Sequence, residues 1–379
     1  MRKFASGLVT VAVLLAGTGC SSQSYHRSSG VIEGLQPSAT CATAETADDC
    51  GGWNTLVKEA RKDKSLVLAG DPDAYPLLAA TAKAFAKHYD IKVNWIMPDA
   101  GTSEQFARTA TSGSEQPDAF SLDPNSPAPP LDRVARYRVV QFDMLPDEHK
   151  DADGARIHDF SGVMAIGYNQ TRLGEIKSVA ELLAKTRVKV ALPGDPATSS
   201  SAGHSLLMLD ALSGSRDASG AAAMQELDRL ARSGQLAPDY TELAALRSGT
   251  VDAAIDWSYV QKGYASQLKK DKVVWRTLVP EGAEVTAHHG FAVNAAAPHP
   301  AAARLWQEWL FTTPSQILLT KSGAMPTLYH YLQSTGAIGW SATKTLQVLE
   351  AEPWEPQPAD LEKARAGAQA GWKRLFPTD

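Results

Sequence analysis

Cysteine is scarce: the 379-residue chain has three, Cys20, Cys41 and Cys50, all within the first 50 residues. Thiol chemistry therefore cannot sit in the main body, and a structural zinc there would lack thiolates. A basic excess is also missing. Lys and Arg total 37 against 42 Asp and Glu, giving a net charge of -5, so the phosphate neutralisation that binding nucleic acid requires is not available and no nucleic-acid partner is expected. Outside one run near the start, nothing approaches 18 uninterrupted apolar residues, and no further membrane span is expected. Enzyme signatures are lacking too. There is no Gly-x-Ser-x-Gly elbow, no His-Glu-x-x-His, no Gly-x-x-x-x-Gly-Lys loop and no strand-linked Gly-x-Gly-x-x-Gly. Catalysis has no local support, and neither a cofactor nor a metal is expected.

What is present is globular material in quantity. With 44% hydrophobic and 21% charged residues and a mean hydropathy of -0.23, the chain can bury sizeable cores. At about 150 residues per domain its length suits roughly two domains, and no internal repeat is visible.

Met1, Arg2 and Lys3 precede an apolar run from Leu8 to Ala16 that only Thr10 interrupts. Such a run is too short for a bilayer core, which needs roughly 20 helical residues, and it has the form of an export signal over residues 1–19. Gly17, Thr18 and Gly19 then lead into Cys20, an arrangement that resembles the lipobox of bacterial lipoproteins and implies lipidation of Cys20. Residues 20–52 are rich in Ser, Thr, Ala and Gly and read as a tether with little apolar surface to bury. In an exported chain, Cys41 and Cys50 suit a local disulfide.

From Trp53 onward, short apolar runs alternate with helical patterns, which predicts an α/β fold with mainly parallel strands. Strands are expected at Leu66–Ala69, Ile91–Trp95, Asp118–Ser121, Met164–Tyr168, Val188–Leu192, Ala253–Asp256 and Phe291–Val293. Helical spacing joins Leu78, Ala82, Phe85 and Tyr89, then Met224, Leu227, Leu230 and Ala231, then Ala302, Leu305, Trp306, Trp309 and Leu310. In open α/β sheets a ligand sits beyond the carboxyl ends of the strands. That rule nominates the loops Gly70–Tyr75, Asp99–Ser103, Ser121–Asp123, Gly194–Ser201 and Asp256–Tyr259.

The segments GGWNTLVKEARKDKSLVLAG (51–70), FAKHYDIKVNW (85–95), PDAFSLDP (117–124), FSGVMAIGYNQT (160–171), KVALPGDP (189–196) and AAIDWSY (253–259), with the long stretch 294–326, together resemble the extracellular solute-binding proteins of bacterial ABC importers. The likeness is to the group of polyamine, thiamine and ferric-iron binders. It implies a two-lobed periplasmic-binding-protein-like clamshell of type II, the second lobe inserted in the first. Residues 53–162 and 289–379 would form lobe 1 and 163–288 lobe 2, with crossings near Phe160–Val163 and His288–Phe291. It also implies an exported monomer, anchored by its lipid to the outer face of the cytoplasmic membrane or held in the periplasm, that hands a small solute to a membrane permease and its ATPase.

Asp71, Asp73 and Tyr75 in the first lobe and Asp256, Trp257 and Tyr259 in the second offer carboxylates and flat rings for an organic cation such as a polyamine or a thiamine-like compound. The same residues also suit turn chemistry and core packing. Thr198, Ser199 and Ser200 open a helical pattern whose free N–H groups could hold an anion, or could simply cap the helix. Gly101, Thr102 and Ser103, with Ser121 and Asp123, form a similar candidate group. Adjacent His288 and His289 face opposite sides of a strand, so a shared metal ion is not expected. Ferric members of the family use two adjacent tyrosines near this position, whereas Ser258 precedes Tyr259 here. Ferric iron and phosphonate-like anions remain as ligand alternatives. From other classes, an exported hydrolase or a ligand-sensing partner of a membrane receptor would share much of this pattern.

Overall fold

A computed structural model describes residues 41–72, 75–110, 115–344, 346, 349 and 352–376. The expected signal segment, Cys20, most of the tether and Asp73 lie outside the described residues. The chain begins α1 (Trp53–Asp63), β1 (Ser65–Ala69), α2 (Pro76–Tyr89), β2 (Lys92–Ile96), α3 (Thr102–Thr109) and β3 (Ala119–Leu122). Two 3-10 helices, Phe142–Met144 and Asp147–His149, lead into the long strand β4 (Ile157–Asn169). Next come α4 (Gln170–Leu173), α5 (Val179–Ala184), β5 (Val190–Ala191), α6 (Ser200–Leu212), α7 (Ala221–Arg232), α8 (Leu243–Ser248), β6 (Ala253–Trp257), α9 (Ser258–Leu268) and β7 (Trp275–Leu278). The remainder is β8 (Thr286–Val293), α10 (Pro300–Leu310), α11 (Thr313–Lys321), β9 (Met325–Pro326), α12 (Tyr329–Ser334), α13 (Trp340–Thr343) and α14 (Pro358–Leu375).

Local chemistry explains the first unit. Pro76 fits the first turn of α2, where its missing N–H costs nothing. Asp90, in the left-handed region at φ 58°, ends the helix. Leu78, Ala82, Phe85 and Tyr89 are all buried, as their spacing predicts. Phe85 meets Trp306 of α10 edge-on at 5.4 Å, and Trp306 meets Phe291 of β8 at 5.5 Å, so one aromatic column joins helix, helix and sheet.

The strands run in the order β2-β1-β3-β8-β4-β6-β5, with β7 and β9 also pairing with β4. The sheet is mixed, which corrects the expectation of mainly parallel strands. Pairings β1–β2, β1–β3 and β5–β6 are parallel, whereas β4 and β8 run antiparallel to their partners. The reason lies in the course of β4. Its first half, to Val163, pairs with β8, and from Met164 it pairs with β6 and β7, so one continuous strand passes from the first lobe into the second. The result is the two-lobed clamshell of periplasmic binding proteins. The return comes between Leu278 and Thr286, earlier than the expected crossing at His288–Phe291.

The C-terminal segment also departs from expectation. Residues 289–379 were assigned to the first lobe, but α14 packs on α6 and α7 of the second. Small residues permit this close approach: a Cβ on Gly367 would come within 1.8 Å of the Ser219 carbonyl oxygen, and one on Gly220 within 2.5 Å of the Ala364 oxygen. Lys363 and Arg374 complete the seam by bonding the Asp217 carbonyl and the Asp228 carboxylate.

Cys41 and Cys50 are joined by a disulfide, and the segment they enclose is fastened to α10 by a buried cation. Arg304 donates to the carbonyls of Ala42 and Ala44, each at 2.8 Å, and lies over the Tyr137 ring. Burial pulls its pKa down to about 10, so it stays charged at neutral pH. One turn later, Glu308 accepts from the Tyr137 hydroxyl at 2.8 Å and the Val140 N–H at 3.0 Å. Hydrogen bonds to charged groups contribute about 1.5–3 kcal/mol each, and removing one partner orphans the other. Arg304→Ala is therefore expected to cost roughly 2–4 kcal/mol in urea denaturation, with the disulfide intact.

Candidate functional site

Three strand ends converge on a cavity of about 690 Å³ between the lobes. The loop after β1 supplies Pro72, Tyr75 and Pro76; the loop after β5 supplies Pro193, Ser199 and Ser201; and the end of β6 supplies Asp256. Helix α9, which starts directly from β6, lines the cavity with Val260, Gly263, Tyr264 and Gln267. These four recur at i, i+3, i+4 and i+7, one helical face. That spacing was the available signal for Tyr264 and Gln267, neither of which the sequence reading selected. Thr241 was missed as well, whereas Ser201 closes the nominated loop Gly194–Ser201.

Among the described lining residues Asp256 is the only carboxylate, and none is Lys or Arg. Its Oδ1 accepts the Trp257 N–H at 2.8 Å, and burial pushes its pKa up to about 7. Tyr75 sits across the cavity, its ring 6.2 Å from that of Tyr259 and 5.9 Å from the imidazole of His289. Burial holds both phenols well above the ordinary tyrosine range, and the nearby carboxylates of Asp123 and Asp256 reinforce the effect. The cleft floor thus carries negative potential.

Beneath the cavity, three adjacent strands align a polar column. Ser121 Oγ of β3 lies 2.9 Å from His289 Nε2 of β8, and His289 Nδ1 lies 2.9 Å from Asp159 Oδ1 of β4. With the proton on Nδ1 facing Asp159, Nε2 would accept from the serine. The connectivity is that of a hydrolytic triad. However, Ser121 is 3% exposed, His289 and Asp159 are fully buried, and none of the three lines the cavity.

The other expected site residues divide by environment. Gly101 and Thr102 open α3, where the Thr102 N–H donates to Asp123 Oδ2 at 2.9 Å and the Thr102 hydroxyl accepts the Asp123 N–H at 2.8 Å. These groups satisfy one another as a helix cap. Ser103 and Thr198 are exposed. Ser199 caps α6 by accepting the Ala202 N–H, while Ser200 donates to the Pro124 carbonyl at 2.8 Å and so ties the second lobe to the first. Asn125 adds a second tie, its Nδ2 lying 3.1 Å from His204 Nε2 and donating to the Pro356 carbonyl. The Asp71 carbonyl accepts the Tyr75 N–H.

Trp257, expected to wall the ligand, is fully buried and stands behind the described lining residues. Side chains alternate along β6, and the face opposite Asp256 turns inward. There Trp257 donates to Ser201 Oγ at 3.0 Å and stacks parallel to Tyr259. Tyr259 packs edge-on against Phe160, beside Gly162, where a Cβ would come within 2.4 Å of its ring.

The match to the model for bacterial extracellular solute-binding proteins covers residues 66–324. The chain belongs to that family. Several solved structures share the fold. The periplasmic binding protein AgtB from A. tumefaciens R10, in complex with agropinic acid, aligns with a TM-score of 0.62 at 17% identity, covering 83% of this chain and 99% of that one. Iron-bound HitA from Pseudomonas aeruginosa aligns with a TM-score of 0.54 at 19% identity, covering 82% and 99%. AfuA from Actinobacillus pleuropneumoniae, with fructose-6-phosphate bound, aligns with a TM-score of 0.52 at 16% identity, covering 82% and 96%. No curated protein matches the chain.

The Tyr259 hydroxyl is buried with no hydrogen-bond partner. Removing it relieves that penalty and leaves the ring contacts in place. Tyr259→Phe is expected to leave stability unchanged or raise it by about 1 kcal/mol, measured by thermal denaturation.

Proposed function

We propose that this extracellular solute-binding protein captures a small organic cation, polyamine-like or thiamine-like, and delivers it to the permease of an ABC importer while tethered to the membrane through lipidated Cys20. The observation that carries the ligand class is the charge pattern of the cleft. Asp256 lines it with no lining Lys or Arg, and Asp123 and Asp256 impose negative potential on Tyr75. Tyr75 and Tyr264 add apolar faces suited to a cation. Arg365 is already bound to the Ser199 carbonyl and Glu362, and it does not line the cavity. The ligands bound in the structural relatives are an organic acid, iron and a sugar phosphate. Those guests differ in charge, so the lining residues and not the fold are the basis for the choice.

Capture of this kind is binding without turnover. Closure adds contacts from the second lobe, and the closed form is the one a permease would recognise. A cation binds the ionised form of Asp256, whose pKa in the free protein is about 7. Affinity should therefore rise with pH from 5 to about 7 and level off above it. In thermal-shift and calorimetric titrations against polyamines, thiamine, phosphonates, sugars and iron complexes, a cation is expected to raise the Tm. Its affinity should fall at least about tenfold in Asp256→Asn, with the pH dependence lost. Tight binding of a phosphonate or sugar phosphate that Asp256→Asn leaves unchanged would defeat the cation reading.

One observation favours hydrolysis as a second reading: the Ser121–His289–Asp159 column supplies a nucleophile with its base. The two readings separate in a chromogenic ester assay. Binding without turnover predicts no activity above buffer, whereas turnover abolished by Ser121→Ala would establish hydrolysis.

A further inference from the structure

Alternation along β8 sends His289 into the polar column and His288 to the opposite face of the sheet. On that face His288 meets two more histidines from distant parts of the chain. His158 comes from β4, where the irregularity between His158 and Phe160 resets the register so that His158 pairs with Gly290, two residues along from His288. His149 comes from the 3-10 helix Asp147–His149, which Lys150 anchors by donating to the Phe142 and Leu145 carbonyls. The His149 and His288 rings are perpendicular with centroids 4.3 Å apart, and those of His158 and His288 stack at 5.3 Å.

One ring nitrogen from each histidine lies within 4.8 Å of the other two. The Nδ1 atoms of all three are buried and have no hydrogen-bond partner. Buried polar atoms in native proteins are nearly always satisfied, so three orphaned acceptors or donors in one cluster call for a missing partner. A carboxylate stands beside them: Glu355 Oε1 is 3.6 Å from His288 Nε2. Glu355, Glu148, Arg156, His158 and His288 line a cavity of about 300 Å³ there, with Arg156 engaged by Asp151 at 3.0 Å. This cavity shares no lining residue with the solute cleft.

We infer that His149, His158 and His288 bind one divalent transition-metal ion of the zinc, nickel or copper type through their Nδ1 atoms, with Glu355, beside His288 Nε2, orienting that ring. Imidazole nitrogens suit such borderline ions, whereas calcium and magnesium require oxygen shells. At ~2.1 Å per Zn–N bond a tetrahedral ion needs nitrogens about 3.4 Å apart, so binding would draw the three rings closer together. A bound ion would join the 3-10 helix, β4, β8 and the Glu355 segment, and β4 is the strand that links the lobes.

The test uses the untagged protein lacking its signal segment, stripped with chelator and titrated with ZnCl₂ against a chromophoric zinc competitor. The expected result is one equivalent bound at micromolar Kd or tighter, a Tm that rises with the logarithm of free zinc, and nitrogen ligands in the X-ray absorption spectrum. His149→Ala and His158→Ala should each weaken binding by at least about 100-fold, and Glu355→Gln by about tenfold. If His158→Ala does not fold, His149→Ala, on a surface turn, decides the matter. Absence of stoichiometric binding, affinity unchanged in His149→Ala, or an all-oxygen ligand shell would overturn the inference.

Discussion

Strands β4 and β8 hydrogen-bond antiparallel from Ile157 opposite Phe291 to Val163 opposite Thr286, and the rest of the molecule is arranged around that pairing. It carries the chain between lobes in one continuous strand. It places His289 between Ser121 and Asp159 on one face of the sheet and gathers His149, His158 and His288 on the other. The break in register at Asp159 lets both clusters exist, because a strand without it would turn His158 toward the opposite face.

Electrostatics in the cleft follow from what the lobes exclude. Asp256 is desolvated with no lining base to compensate, and the phenols of Tyr75 and Tyr259 feel neighbouring carboxylates. An uncompensated buried acid destabilises the ionised free protein, a strain that a cationic guest would relieve. In the core, Arg304 is matched by the carbonyls of Ala42 and Ala44.

Apolar runs and helical spacing made β1, β2, β3, β6, α2, α7 and α10 legible, because all but the half-buried β2 send apolar side chains into the core. The first halves of β4 and β8 escaped notice. They read His158-Asp159-Phe160-Ser161-Gly162 and His288-His289-Gly290, patterns too polar for a strand whose side chains were assumed to enter an apolar core. Their polar groups are buried against one another instead. The site was legible in part: Tyr75, Ser199 and Asp256 do face one cavity, whereas Trp257 resembles them in composition and points the other way.

The sequence by itself determined the α/β class, the family and the loops at the strand ends, since hydrophobic periodicity and turn residues act over a few positions and leave a local trace. Tertiary structure alone decided which side chains meet. Ser121 joins His289 across 168 residues, His149 joins His288 across 139, and α14 packs on α6 through glycines that mark no partner in the chain. Such contacts depend on strand order and on which face of the sheet a residue occupies, and a one-residue shift in register reverses that face without altering the composition.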